Sequence, residues 1–515
     1  MKRILVIISL CSLFFSACDS LDLSPEDYFA TGNYWSSTSL VNSNMLALHY
    51  DLRSTHEVRY FFGEARGGTS LLNTTIINTS IENTSPIKDN TFTKDATGVS
   101  DWYNLYPHIM RVNHFISEVE KGCTFLSASD RGYYLGQAYG LRAYHYFMLY
   151  RAYGGVPVID QAKVVEGVTS AEDLYVARST PKETLDFIKS AKSEEYFGSD
   201  FTFKGTSIWS KSATLMLKAE TYLWSAKVPD RDQQPETNDL QIAKDALLQL
   251  VDKFTLLPNF SDVFEYSNKE NKEIIMAMRF LDGEAANSAA KFAYPPTFIN
   301  RVYGSNGVLM GDTLQMLNKG LYFHAFKYEL FESYDAEDLR RNATFIDFYL
   351  KDKDGNVTNK GVALRKGVGI VNSSGNRVFV SDVVIYRYAE VLLMLAEIEN
   401  KLGNDPSPYI NQIRQRAYSV NYDPAVHAHV NGSFEENELA ILFERDKEFV
   451  YEGKRWHDIR RMQDASGRAL VFSPIVHYGS EQPILDYNKE SYKVLWPINV
   501  GLITGDPLVE QTPGY

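Results

Sequence analysis

Three cysteines in 515 residues, two of them within the first eighteen, limit how this chain can be held together. Lys2 and Arg3 form a short basic start, residues 4–15 are apolar apart from two serines and Cys11, and Phe15-Ser16-Ala17-Cys18 closes the run. An apolar run this short does not span a bilayer comfortably, and small residues before a cysteine mark a cleavage site. The segment reads as a secretory signal, residues 1–17, ending in a pattern like a bacterial lipobox, with Phe15 where Leu is usual. Cys18 is then the lipid-bearing first residue of the mature chain and residues 18–28 are a lipidated tether; a plain secretory signal with an incidental cysteine is the alternative. Acyl chains contribute about 0.8 kcal/mol per buried methylene, so two or three of them make a stable anchor. Only Cys123 is left over, so no intrachain disulfide is available and the apolar core must carry the fold alone.

That core has ample material. Apolar residues make up 44% of the chain and aromatic ones 13%, enough for one large domain or two ordinary ones. Order is expected from about residue 29. Residues 37–53 place Leu40, Val41, Met45, Leu48 and Leu52 at helical spacing, and residues 101–122 do the same with Trp102, Leu105, Ile109, Val112, Ile116 and Val119. Residues 133–153 form another such block, stopped by Gly154-Gly155-Val156-Pro157. Further blocks lie at 180–192, 209–227 and 240–252, with small Ala213 and Ala219 where helices must approach closely. Later, residues 386–403 carry six apolar residues in a row at 391–396 and should be buried nearly all round, 408–417 follows across a Gly-Asn-Asp-Pro turn, and 441–462 sets Phe449, Trp456 and Ile459 on one stripe among paired charges. Helical blocks joined by short turns predict a mainly α, tetratricopeptide-like helix-hairpin array, in parts 29–253 and 386–462, with no strict 34-residue period.

Between these parts the pattern changes. Residues 54–100 are polar and turn-rich, and residues 255–385 form a loop-rich, partly β insertion within a single domain spanning 29–515. Strands are expected at 274–279 and 379–385, with a turn between strands at 351–361; the chain should end in an extended, Pro-rich tail. Long irregular stretches inside a folded domain are more often functional than idle.

The net charge of −13, without a basic run, gives no footprint for nucleic acid and argues against binding an anionic membrane through protein charge. No later segment is long and apolar enough to span a bilayer, so the lipid is the sole expected anchor. Metalloprotease, nucleophile-elbow and P-loop motifs are missing, and Gly367-Val-Gly369 lacks the third glycine of a dinucleotide fingerprint. His457 beside Asp458 reads as a structural member of a charged helix. Asp352, Asp354 and Asn356 read as a turn, because the glycine follows the second acid too soon for an EF-hand.

Several stretches carry a resemblance: LDLSPEDYF after Cys18, WYNLYPHIMRVN at 102–113, LRAYHYFMLYRAYGGVPV at 141–158, RSTPKETLDFI at 178–188, YRYAEVLLMLAEIENKLG with INQIRQRA, FERDKEFVYEGKRWHDIRR at 443–461 and the terminal PLVEQTPGY. In this order they resemble the SusD/RagB family of surface glycan-binding lipoproteins. The resemblance implies a cell-surface protein of the outer membrane that captures an oligosaccharide or polysaccharide and delivers it to a SusC-like TonB-dependent transporter. With no catalytic motif in the chain, no catalysis and no cofactor are expected and no metal ligand is assigned. Capture of peptides or glycopeptides on the same architecture is the alternative, and a secreted enzyme or scaffold a further one.

The family's recognition surface is built from variable loops, so the ligand residues are chosen on chemistry. Sugars stack their C–H faces on aromatic rings and pair their hydroxyls with planar polar groups. Two loop regions supply candidates: Tyr60, Phe62, Arg66 and Phe92, then Tyr294, Phe298, Tyr303 and Tyr322.

Overall fold

The computed structural model describes residues 34–515 apart from 73, 74, 77, 78, 81–85, 100, 164–166, 169, 171 and 317–319. The expected signal peptide, Cys18 and the tether lie outside the described residues.

Helix α1, Thr38–Ser54, starts at Ser37, whose side chain accepts a hydrogen bond from the Leu40 N–H, and buries Val41, Met45, Leu48 and Leu52. Helices α2 (Leu105–Lys121) and α3 (Ala128–Tyr153) pack together across the short connection 122–127. Every residue of α3 from Tyr134 to Tyr153 is buried, which makes it the central rod of the array. Such a rod needs positions without side chains: at Gly140 a Cβ would lie 2.1 Å from Nε1 of Trp209. Gly154, at φ 74°, then turns the chain as predicted.

The next helices, α4 (Pro181–Lys189), α5 (Lys211–Lys227) and α6 (Asp239–Leu248), follow the expected blocks, α4 opening on a capping box between Thr180 and Glu183. After the insertion come α7 (Tyr388–Lys401) and α8 (Ser407–Tyr418), which pack on each other; α7 is buried from Tyr388 to Asn400.

The expected continuous stripe at 441–462 is divided. Helix α9 (Phe434–Glu448) begins earlier, on a capping box of Ser433 and Glu436, and a break at 449–454 separates it from α10 (Arg455–Arg461). Tyr451 and Gly453 both take positive φ there, 65° and 67°. The freed N–H groups of Tyr451 and Gly453 donate to the buried carboxylate of Glu64, at 2.7 and 2.8 Å. Its pKa is pushed up to about 7 by burial, against the pull of those two donors.

The insertion is closed at its base by β1 (Ile274–Met278) pairing antiparallel with β4 (Val383–Arg387). Between them, β2 (Phe345–Lys351) and β3 (Val357–Leu364) form a hairpin. Asp352 makes its turn, accepting from the N–H groups of Asp354 and Asn356 at 2.8 and 2.9 Å. Strand β4 starts four residues later than the expected 379–385. Residues 56–65 are helical where a polar loop was expected, and the tail carries a short helix, Val500–Gly505.

The largest apolar cluster draws on residues from Trp35 to Val509. Buried charges cross it. Arg387 meets Glu273, Glu448 and Glu452 at 2.8, 2.6 and 2.8 Å; Lys227 of α5 meets Glu397 of α7 at 2.8 Å and Glu438 of α9. The pairing expected along one helix face therefore runs mainly between elements.

Candidate functional site

Seven of the eight ligand candidates, six aromatic residues and Arg66, lie buried inside the protein. Phe62, Arg66 and Phe92 converge on the tail. The Arg66 guanidinium lies 4.0, 4.4 and 4.5 Å from the rings of Trp456, Phe92 and Trp496, donates to Asn90 Oδ1 at 2.7 Å, and bonds the Lys493 carbonyl. Burial pulls its pKa well below the ordinary value, and the aromatic faces supply the compensating attraction. Phe62 meets Trp496 at 5.0 Å, and Phe92 stacks on the same ring at 5.3 Å. Tyr60 packs edge-on against Phe292 at 4.9 Å. Phe62, Arg66 and Phe92 thus fasten the stretch after α1 to the C-terminal tail, and Tyr60 fastens it to the insertion.

In the insertion, Phe298, Tyr322 and Phe348 make a second apolar cluster together with Tyr294. The Tyr322 hydroxyl donates to the Val362 carbonyl at 2.9 Å, and the Tyr294 hydroxyl to Asp312 Oδ1 at 2.8 Å.

Tyr303 is different: half-buried, and placed at a surface hairpin. Residues 300–310 fold back on themselves through Asn300 N–H to Met310 O (2.9 Å) and Met310 N–H to Val302 O (2.8 Å). Tyr303 then exchanges backbone hydrogen bonds with Tyr349 of β2, at 2.9 and 2.8 Å, which extends the β2–β3 hairpin by one bridge. This register brings the two rings together. They stack at 5.7 Å with planes 18° apart, and the Lys351 ammonium sits 4.5 Å from the Tyr303 centroid and 5.4 Å from that of Tyr349. Val308 and Leu309, 61% and 43% exposed, project from the hairpin tip beside exposed Arg301 and Asn306.

A stacked pair of half-buried tyrosines with an exposed lysine over it groups two rings, two phenols and a cation at one surface hairpin. Rings, phenols and a cation grouped in this way suit the C–H faces and hydroxyls of a sugar. Tyr349 and Lys351 escaped the sequence reading. The available signal was alternation: Tyr349 and Lys351 share one face of a strand that leads directly into the Asp352 turn, while Phe348 points the other way into the core.

His457 is buried edge-on against Trp224 at 6.1 Å. Burial, reinforced by Arg151, Arg460, Lys454 and Arg461, holds its pKa well below 6.5 and keeps it neutral, in line with a structural role.

Comparison with known proteins gives two family matches. A model described as the SusD family matches residues 301–515, and one described as "starch-binding associating with outer membrane" matches residues 21–200. Among solved structures, a SusD superfamily protein of Bacteroides fragilis is 40% identical, with a TM-score of 0.88 over 94% of this chain and 100% of that one. NanU of B. fragilis is 32% identical, with a TM-score of 0.81 over 96% and 100%. SusD-like protein P38 of Formosa agariphila is 25% identical over 99% of this chain and 98% of that protein. The mainly helical, tetratricopeptide-like array predicted from the sequence is the architecture these structures share.

Proposed function

This chain belongs to the SusD superfamily, and from that premise we propose that it is a non-catalytic glycan receptor of the outer membrane. The observation that carries the reading is the 40% identity to a superfamily structure over 94% of the chain. The match of residues 21–200 to a starch-binding, outer-membrane-associating family supports the ligand class and the location. We place first contact with the glycan on Tyr303 and Tyr349, with Lys351 donating to hydroxyls at the rim of the stack. The receptor is held at the cell surface by a lipid on Cys18 and hands its ligand to a SusC-like TonB-dependent transporter. Binding without bond cleavage is what stacked rings and an exposed ammonium accomplish: they select a saccharide face and leave its glycosidic bonds untouched.

The test is native affinity electrophoresis of the chain lacking residues 1–18 against plant, host and fungal polysaccharides, with the same mixtures assayed for released reducing sugar. Retardation by at least one polymer without sugar release is expected. Sugar release overturns the receptor reading, and retardation by no polymer moves the ligand class to peptides.

A further inference from the structure

A cavity of about 570 Å³ opens between the end of α5, α10 and the segment 463–495, and its lining includes none of Tyr303, Tyr349 and Lys351. This volume falls within the range of small-ligand sites, about 300–1,000 Å³. One side is apolar and ends in an accessible ring: Tyr487 is 47% exposed and meets Phe472 edge-on at 5.1 Å. The Arg468 guanidinium, exposed and with no carboxylate within 4 Å among the described residues, lies 4.4 Å from the Tyr487 centroid.

The other side holds a second guanidinium. Arg460 is only 6% exposed, flanked by Trp224 at 5.0 Å and Trp456 at 5.9 Å, and donates to the Arg151 carbonyl. No carboxylate among the described residues comes within ion-pair distance of it. Burial pulls its pKa down to about 10, with the charge of Asp230 opposing that pull. A planar fork with spare donors, shielded from water and lacking a carboxylate partner, is a seat for a planar oxyanion. Asp230 also lines the cavity, with Arg231 Nε 3.4 Å away, and adds carboxylate acceptors for hydroxyl groups. Two guanidinium groups beside one carboxylate suit a monoanion better than a dianion, because Asp230 repels the second charge.

We propose that this cavity is a second saccharide site that takes a carboxylate-bearing sugar residue, its carboxylate held by Arg460 and Arg468 and its C–H face laid on Tyr487. The proposal rests on the reading of the chain as a glycan receptor, and it adds a site away from the Tyr303–Tyr349 stack with a preference for uronic-acid chemistry.

The test compares D-glucuronate with D-glucose, which differ in the carboxylate, by saturation-transfer NMR and titration calorimetry on the intact mature chain. Glucuronate is expected to bind at least tenfold more tightly than glucose. Arg468→Ala and Tyr487→Ala, both at exposed positions, should each weaken glucuronate at least tenfold, and Val420→Ala, at an exposed position outside both sites, should leave it unchanged. Equal binding of the two sugars, no binding of glucuronate, or full affinity in both cavity variants would overturn the proposal. Glucuronate binding that persists while every neutral polysaccharide is ignored overturns the Tyr303–Tyr349 reading and leaves the cavity site standing.

Discussion

At the scale of single residues, identity was legible and exposure was not. Tyr60, Phe62 and Phe92 sit in a polar, turn-rich stretch, the setting in which exposed rings are expected, yet they are covered by Trp496 and Phe292, which lie hundreds of positions away in sequence. Burial of a ring depends on such distant partners, and no local pattern reports them. Tyr303 was selected by the same criterion and does reach the surface, because its hairpin docks on the outward face of β2. Buried histidines give a direct residue-scale prediction. His145 is 0% exposed, and neither of its ring nitrogens has a hydrogen-bond partner among the described residues. Burial, with His108 and Arg111 adding to it, lowers its pKa from 6.5 to about 3. The unfolded chain therefore takes up this proton first; the stabilisation is complete above pH 6.5 and is lost as the pH falls toward 3. At pH 5 the loss amounts to about 2 kcal/mol. His145→Leu should accordingly flatten the fall in Tm between pH 7.5 and pH 5, as read by thermal melts across that range.

Elements were legible wherever the signal was local. Helical period, caps and the Gly154 stop all appear in the sequence, and α1 to α8 follow them closely. The misread element is the segment 441–462. Its apolar stripe continues through 449–454, but Gly453 admits a positive φ and Glu64, nearly four hundred positions away, binds the freed N–H groups. The break is made by a tertiary contact, so the helix-forming sequence around it gave no warning. Two element-scale predictions follow from close contact and from buried charge. Gly140→Ala places a Cβ against Trp209, where α3 and the start of α5 meet, and should cost about 3 kcal/mol in urea unfolding. Glu448 joins Arg387, Arg416 and Arg340 at the end of α9, and those three cations hold its pKa well below the carboxylate range despite burial. Glu448→Gln leaves buried guanidinium groups short of a counter-charge and should cost about 3–5 kcal/mol by the same assay.

For the whole molecule, packing links the described residues from end to end. Cys123 is buried and free, and one apolar cluster links Trp35 to Val509. The helix-hairpin array was readable because its repeats are local, whereas the proposed binding surface belongs to the insertion, where shape follows from long-range pairing such as β1 with β4. Anchoring supplies a cellular prediction: Cys18→Ala should move the protein from the membrane fraction to the soluble fraction, read by immunoblot. The central claim, that the chain captures a glycan on the Tyr303–Tyr349 stack, is tested most directly by titrating the retarding polysaccharide into the wild-type chain and the Tyr303→Ala/Tyr349→Ala double variant. Loss of each stacking ring removes about 0.5–1.5 kcal/mol, so the account predicts affinity reduced by about tenfold or more with Tm held within about 2 °C. Unchanged affinity in a variant that folds as well as the wild type would contradict it.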